Sequence, residues 1–134
     1  MALTTAIVTI SDTQMKALST TPVTLIAAPG AGQKLICFGL HACCNISTNG
    51  GTNVTGTVRY AVANTAAFPS FTMITGGING ARETSQAMST FNQLSPALTN
   101  RAIELTSASS AGSSYASIDG FHIAILYDVM NDPN

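Results

Sequence analysis

Thr21-Pro22-Val23-Thr24-Leu25-Ile26-Ala27-Ala28-Pro29-Gly30-Ala31-Gly32-Gln33-Lys34-Leu35-Ile36-Cys37-Phe38-Gly39-Leu40 decides how the chain is read. Val23-Thr24-Leu25-Ile26 is a β-branched and aliphatic run that suits a strand, and Pro29, which has no N–H for a ladder, ends it. Gly30 and Gly32 accept positive φ and supply a turn rather than a helix start. A second apolar run then begins at Lys34 and extends to Ile46. With Ile36, Phe38, Leu40, Ala42 and Cys44 expected on one face and Cys37, Gly39, His41 and Cys43 on the other, both largely apolar, it reads as a central strand.

The same pattern continues on either side. Ala6-Ile7-Val8-Thr9-Ile10 predicts a first strand, and Ser11-Asp12 offers a turn or helix cap before one helical turn over 13–18. Val54, Gly56, Val58, Tyr60 and Val62 alternate with Thr55, Thr57, Arg59 and Ala61, the mark of a half-buried strand with a polar outer face. Phe68-Pro69-Ser70-Phe71-Thr72-Met73-Ile74 suits an edge strand, with Gly76-Gly77-Ile78-Asn79-Gly80 a turn or bulge. Ala102-Ile103-Glu104-Leu105-Thr106 and Phe121-His122-Ile123-Ala124-Ile125-Leu126-Tyr127-Asp128-Val129 complete the set, and 131–134 read as a frayed tail. Short strands with regular turn signals predict an all-β fold, an antiparallel β-sandwich of jelly-roll type, over a single domain of 134 residues.

Composition narrows the function. Charged residues make up only 8% of the chain and the net charge is -1, against roughly 25% charged in an ordinary domain. Little charge must be desolvated when copies meet, so self-association is expected. Lys16, Lys34, Arg59, Arg82 and Arg101 are scattered, and neutralising many phosphates needs clustered cations, so nucleic acid is not an expected partner. No apolar run reaches the ~18 residues of a membrane span, and the first residues lack a signal-peptide pattern, so the expectation is a chain made in the cytoplasm with no membrane partner. Cys37, Cys43 and Cys44 lie in one segment and are expected as reduced, packed thiols.

Gly30-Ala31-Gly32-Gln33-Lys34 has the look of a phosphate loop. That motif needs Gly, four residues, then Gly-Lys and a hydroxyl residue, and here Gln33 precedes the lysine and Leu35 follows it, so neither nucleotide nor other small-molecule ligand is expected. His41, Cys37 and Cys43 at alternate positions could join His122 in a tetrahedral zinc set, but paired ligands at both ends are lacking, and no metal or cofactor is expected. Ser109, His122 and Asp119 can be named as a triad, yet no nucleophile elbow marks them, and no enzyme is expected.

The pattern Ile10-Ser11-Asp12, Lys16-Ala17-Leu18, Thr21-Pro22-Val23, Leu25-Ile26-Ala27-Ala28-Pro29-Gly30-Ala31-Gly32 resembles the small structural proteins of tailed bacteriophages, and Ile123-Ala124-Ile125-Leu126-Tyr127 looks like their closing strand. Gln33 departs from it, standing where those proteins place a lysine directly after Pro-Gly-Ala-Gly. The resemblance implies a jelly-roll-like capsid decoration, or cement, protein on the virion surface, with the major capsid protein as partner and a homotrimer as its state. A tail or head-fibre component and a carbohydrate-binding adsorption module are the alternatives, the latter disfavoured by a chain with no Trp and three Tyr.

Under that reading, residues 1–10 form a capsid-facing N-terminal arm, with Leu3, Ala6, Val8 and Ile10 as its binding residues, because an edge-capable strand can add to a partner sheet. Phe68, Phe71, Met73 and Met88 are the expected trimer seam, since Met and aromatics suit interface cores.

Overall fold

A computed structural model of the chain describes residues 2–49, 54–62, 65–74, 80–87, 95–107 and 115–132. Among them lie eight strands, β1 (Thr4–Ile10), β2 (Val23–Ile26), β3 (Gln33–Asn49), β4 (Val54–Tyr60), β5 (Phe71–Ile74), β6 (Gly80–Ala87), β7 (Ile103–Ser107) and β8 (Tyr115–Asn131). One helix, α1 (Asp12–Ala17), follows β1, and a 3₁₀ turn (Pro96–Leu98) precedes β7. The strands form two antiparallel four-stranded sheets, ordered β1-β8-β3-β6 and β2-β7-β4-β5.

The order has a simple logic. The first strand pairs with the last, the second with the seventh, the third with the sixth and the fourth with the fifth. The chain is therefore a set of nested antiparallel pairs whose successive layers fall in alternate sheets, which is the double Greek key of a jelly roll. The Pro29 to Gly32 segment carries the chain from β2 in one sheet to β3 in the other, with φ of 121° at Gly30 and 72° at Gly32. Both values lie where glycine is favoured.

The two sheets enclose one apolar core, in which Leu25, Leu35, Leu40, Val58, Phe68 and Ile123 are buried together. β4 shows the predicted alternation as far as Tyr60, with Val54, Gly56, Val58 and Tyr60 buried and Thr55, Thr57 and Arg59 turned outward, whereas Val62, expected on the inner face, lies beyond the strand at φ 69° and is exposed. Ser11 caps α1: its side chain accepts from the Gln14 N–H while the Gln14 side chain accepts from the Ser11 N–H. This reciprocal cap fixes the start of the short helix, and Met15 and Leu18 are fully buried in the core.

β3 departs from the expected faces. Cys37 pairs with Tyr127 of β8, but the next paired residue is Gly39, opposite Leu126, so Phe38 is an extra residue in a bulge. A bulge inverts the alternation beyond it. Leu35 and Cys37 therefore point into the core together with Leu40, Ala42, Cys44 and Ile46, while His41 and Asn45 are exposed and Cys43 is half-buried. Ile36 is buried without belonging to the core cluster.

Two expectations about the chain ends are corrected. The expected arm is, from Thr4 to Ile10, a strand laddered to β8 in unbroken register, because a strand with an apolar inner face gains more from its own sheet than from solvent. The frayed tail is absent up to residue 132, since Asn131 belongs to β8 and Asp132 is an ion-pair partner of Lys34. Residues 133 and 134 lie outside the described set.

Candidate interaction face

The outer surface of the β1-β8-β3-β6 sheet brings most of the singled-out polar residues together. Cross-strand register places Thr9, His122, Cys43 and Glu83 side by side across the four strands, and Ile7, Ala124, His41 and Ser85 in the next row. The Thr9 hydroxyl lies 3.0 Å from His122 Nδ1, and the Ser85 hydroxyl 2.9 Å from His41 Nδ1. Each imidazole is thereby oriented by a hydroxyl on the neighbouring strand. One row further, Gly39 has no side chain to fill the surface, leaving an open depression of about 250 Å³ bordered by Thr5, Leu126, Ala124 and His41.

This surface is unusually apolar at its β1 side. Ile7 is 74% exposed and Leu3 is 52% exposed, with Leu126 also accessible on β8. The outer surface of the other sheet differs: Thr57, Thr106 and Arg59 face outward there, Arg59 Nε donates to Glu104 at 2.8 Å, and the Thr57 and Ser70 hydroxyls are 2.9 Å apart. One sheet thus turns out hydroxyls and a paired charge, the other a mixed apolar and imidazole surface.

The residues expected to bind a capsid divide between the two sides of β1. Ile10 is fully buried in the core, and Ala6 and Val8 pack against it, so these three face inward and are not available to a partner. Leu3 stays exposed. Ile7, between Ala6 and Val8, was not singled out, although Thr5 and Thr9 on either side give the period-two signal that marks an outer face.

The expected trimer seam is likewise corrected. Phe68 is fully buried and Met73 is 3% exposed, both inside the core cluster, because residues 65–67 run beside β4, with Arg59 bridged to Ala66 and the Ala67 N–H donating to the Val58 carbonyl, and the chain then turns these side chains inward under the second sheet. Phe71 lies in β5, and nothing of its side chain is described; Met88 falls outside the described residues.

The zinc set also comes apart. Cys37 is on the core side of the Phe38 bulge, away from His41 and Cys43, and among the described residues no group of three or more His, Cys, Asp or Glu is placed to hold a metal ion. Burial pushes the Cys37 thiol up to about 12, which makes it an inert core group rather than a nucleophile. Burial, and secondarily the nearby Cys37, also raises the Tyr60 phenol, whose hydroxyl donates to the Leu35 carbonyl at 2.7 Å. Tyr60 is therefore not a stacking platform for a sugar. Of the nominal triad, His122 is held by Thr9, while Ser109 and the Asp119 side chain lie outside the described residues.

The segment that resembles a phosphate loop is a structural clasp. Lys34 Nζ lies 3.0 Å from Asp132 and 3.3 Å from the Ser95 carbonyl, and the Thr99 hydroxyl donates to the other Asp132 oxygen. Asn100, at φ 54°, donates its N–H to the Gln33 carbonyl and accepts from the Gly30 N–H through its side chain. The lysine is spent on the fold.

No family model matches the chain, and comparison with curated proteins finds no similar one.

Proposed function

We propose that this chain is a non-enzymatic structural virion protein, a capsid decoration or cement protein that binds the outer shell of a tailed phage and stabilises it. One observation carries the reading: a four-stranded sheet presents an outer surface where Ile7 and Leu126 are accessible, in a chain with few charged residues to desolvate. Such a surface suits flat protein-protein contact, and burial of exposed apolar area contributes about 25 cal/mol per Å². The resemblance of residues 10–32 to small phage structural proteins gives the partner its class, the major capsid protein.

The mechanism is linkage. A protein that binds only the assembled shell raises the stability of that shell by its binding free energy, and linked copies dissociate more slowly than single ones. The hydroxyl-rich sheet opposite then faces solvent, where Thr and Ser replace the charged residues of an ordinary surface.

The test is to purify virions, locate the protein on the capsid, and compare the heat resistance of shells with and without it. The expected result is capsid-bound protein and a lower disruption temperature in its absence. Virions that carry it on tails only, or shells equally resistant without it, overturn the reading.

A further inference from the structure

The four sheet edges are not alike. β2 and β5 are four residues long and have register shifts in their ladders, and β6 includes Arg82 and Glu83. Short length, irregularity and charge are the devices by which proteins block edge-to-edge pairing. β1 has none of them. Its seven residues are uncharged, contain no proline, and pair with β8 without a break. Among the described residues, no backbone hydrogen bond outside that ladder involves Thr4–Ile10, so its outer row of N–H and C=O groups is open.

We propose that two copies of this chain join along β1, antiparallel about a two-fold axis at Ile7, turning two four-stranded sheets into one continuous sheet. The strand is complementary to itself. In an antiparallel edge pair, residues must meet others on the same face, so the axis can fall only on a residue, and only at Ile7 does the whole strand pair. Ile7 then faces Ile7 of the second copy, Thr5 faces Thr9, and Ala6 faces Val8. These are an aliphatic pair at the centre, flanked on the outer face by threonine pairs, with no like charges opposed. Ile7, 74% exposed in the single chain, becomes the centre of the contact.

The inference does not depend on the decoration reading, since it concerns the protein free of any shell. It is tested on the full chain by sedimentation and by cross-linking. The wild-type mass is expected to be that of a dimer whose melting temperature rises with protein concentration, and Ile7→Lys, which opposes two ammonium groups at the axis, is expected to give a monomer with unchanged circular dichroism and a lower, concentration-independent melting temperature. In a Cys43→Ser background, Ile7→Cys is expected to form an inter-chain disulfide on mild oxidation, because residues opposed across antiparallel strands have Cα atoms about 4.5–5.5 Å apart. Thr5→Cys and Thr9→Cys are expected to cross-link when mixed and not when each is alone. A monomeric or trimeric wild type, an Ile7→Lys dimer, or self-linking of Thr5→Cys overturns the proposal.

Discussion

Lys34 and Asp132 form an ion pair at 3.0 Å in which the lysine side chain is fully buried and the aspartate nearly so. It joins the first residues of β3 to the end of β8, and through Ser95 and Thr99 it holds the 95–100 loop against both. A buried pair is costly to break from one side, because the remaining charge is left without its partner. Lys34→Met is expected to destabilise the fold by about 3–5 kcal/mol, and Lys34→Met with Asp132→Asn by much less than the two single changes together. Urea unfolding of the four proteins checks this, and additive losses would show that the pair is not coupled.

Alkaline stability depends on Cys37. Its thiol titrates at about 12 in the fold against 9.0 as the ordinary value, so the folded state holds its proton where the unfolded state has lost it. The stabilisation is full below pH 9 and is lost as pH rises from there towards 12, at up to about 1.4 kcal/mol per pH unit. Tyr60 adds a loss of the same sign from pH 10 upward. Denaturation midpoints are expected to fall above pH 9, and a Cys37→Ala variant, though less stable at neutral pH, is expected to show a flatter decline between pH 9 and 10. A decline as steep as that of the wild type would assign the effect elsewhere.

The three thiols should differ in reactivity. Cys37 and Cys44 are buried, whereas Cys43 is half-buried on the outer face opposite His122. A thiol reagent at mild pH is expected to modify Cys43 alone in the native protein and all three after unfolding, as mass spectrometry would record.

Gly56 and Met73 occupy one space. A Cβ at position 56 would lie 2.6 Å from Met73 Sδ and 2.9 Å from its Cγ, with Met73 itself in the core. Gly56→Ala is expected to cost about 1–3 kcal/mol by overpacking, with a smaller cost when Met73 is replaced by Ala. Equal costs in both backgrounds, measured by chemical denaturation, would separate the two positions.

The helix cap gives a smaller effect. Ser11→Ala removes the acceptor of the Gln14 N–H and should lower stability by about 1 kcal/mol. A thermal melt detects it, and a Ser11→Asp variant is expected to retain most of the lost stability.

The strands legible in the sequence are those with one wet face. β4 announces its inner residues because Thr55, Thr57 and Arg59 separate them, and the turn at Gly30 and Gly32 is forced by proline and glycine chemistry. β6 was missed because Ala81-Arg82-Glu83-Thr84-Ser85-Gln86 shows no apolar alternation; it is an edge strand defined by its pairing with β3. The Phe38 bulge is hidden for the opposite reason. Both faces of β3 are apolar, so a shift of one residue leaves no trace in the pattern, yet it moves Cys37 to the core. Phe68 and Met73 show the same ambiguity, since a short apolar segment does not say whether its side chains face in or out. Asp132 sits in a polar terminal run, and its partner Lys34 stands at the start of β3, far away in sequence. At the candidate face Ala6, Val8 and Ile10 share one side of β1 and Ile7 the other, and with aliphatic residues on both sides the alternation alone does not say which side meets the core.

The nested pairing of the strands also fixes the order in which the molecule can be finished. Thr4 meets Tyr127 and Lys34 meets Met130, so the outermost layers close only when β8 is present. Among the described residues β8 is the sole ladder partner of β1 and one of two for β3. During synthesis the first strand therefore waits for the last, with its uncharged edges unpaired on both sides, and contacts of such long sequence separation form slowly. A ribosome-bound chain lacking β8 keeps only the β3-β6 ladder of its first sheet, which makes the seventeen-residue β8 the step that commits the whole sandwich.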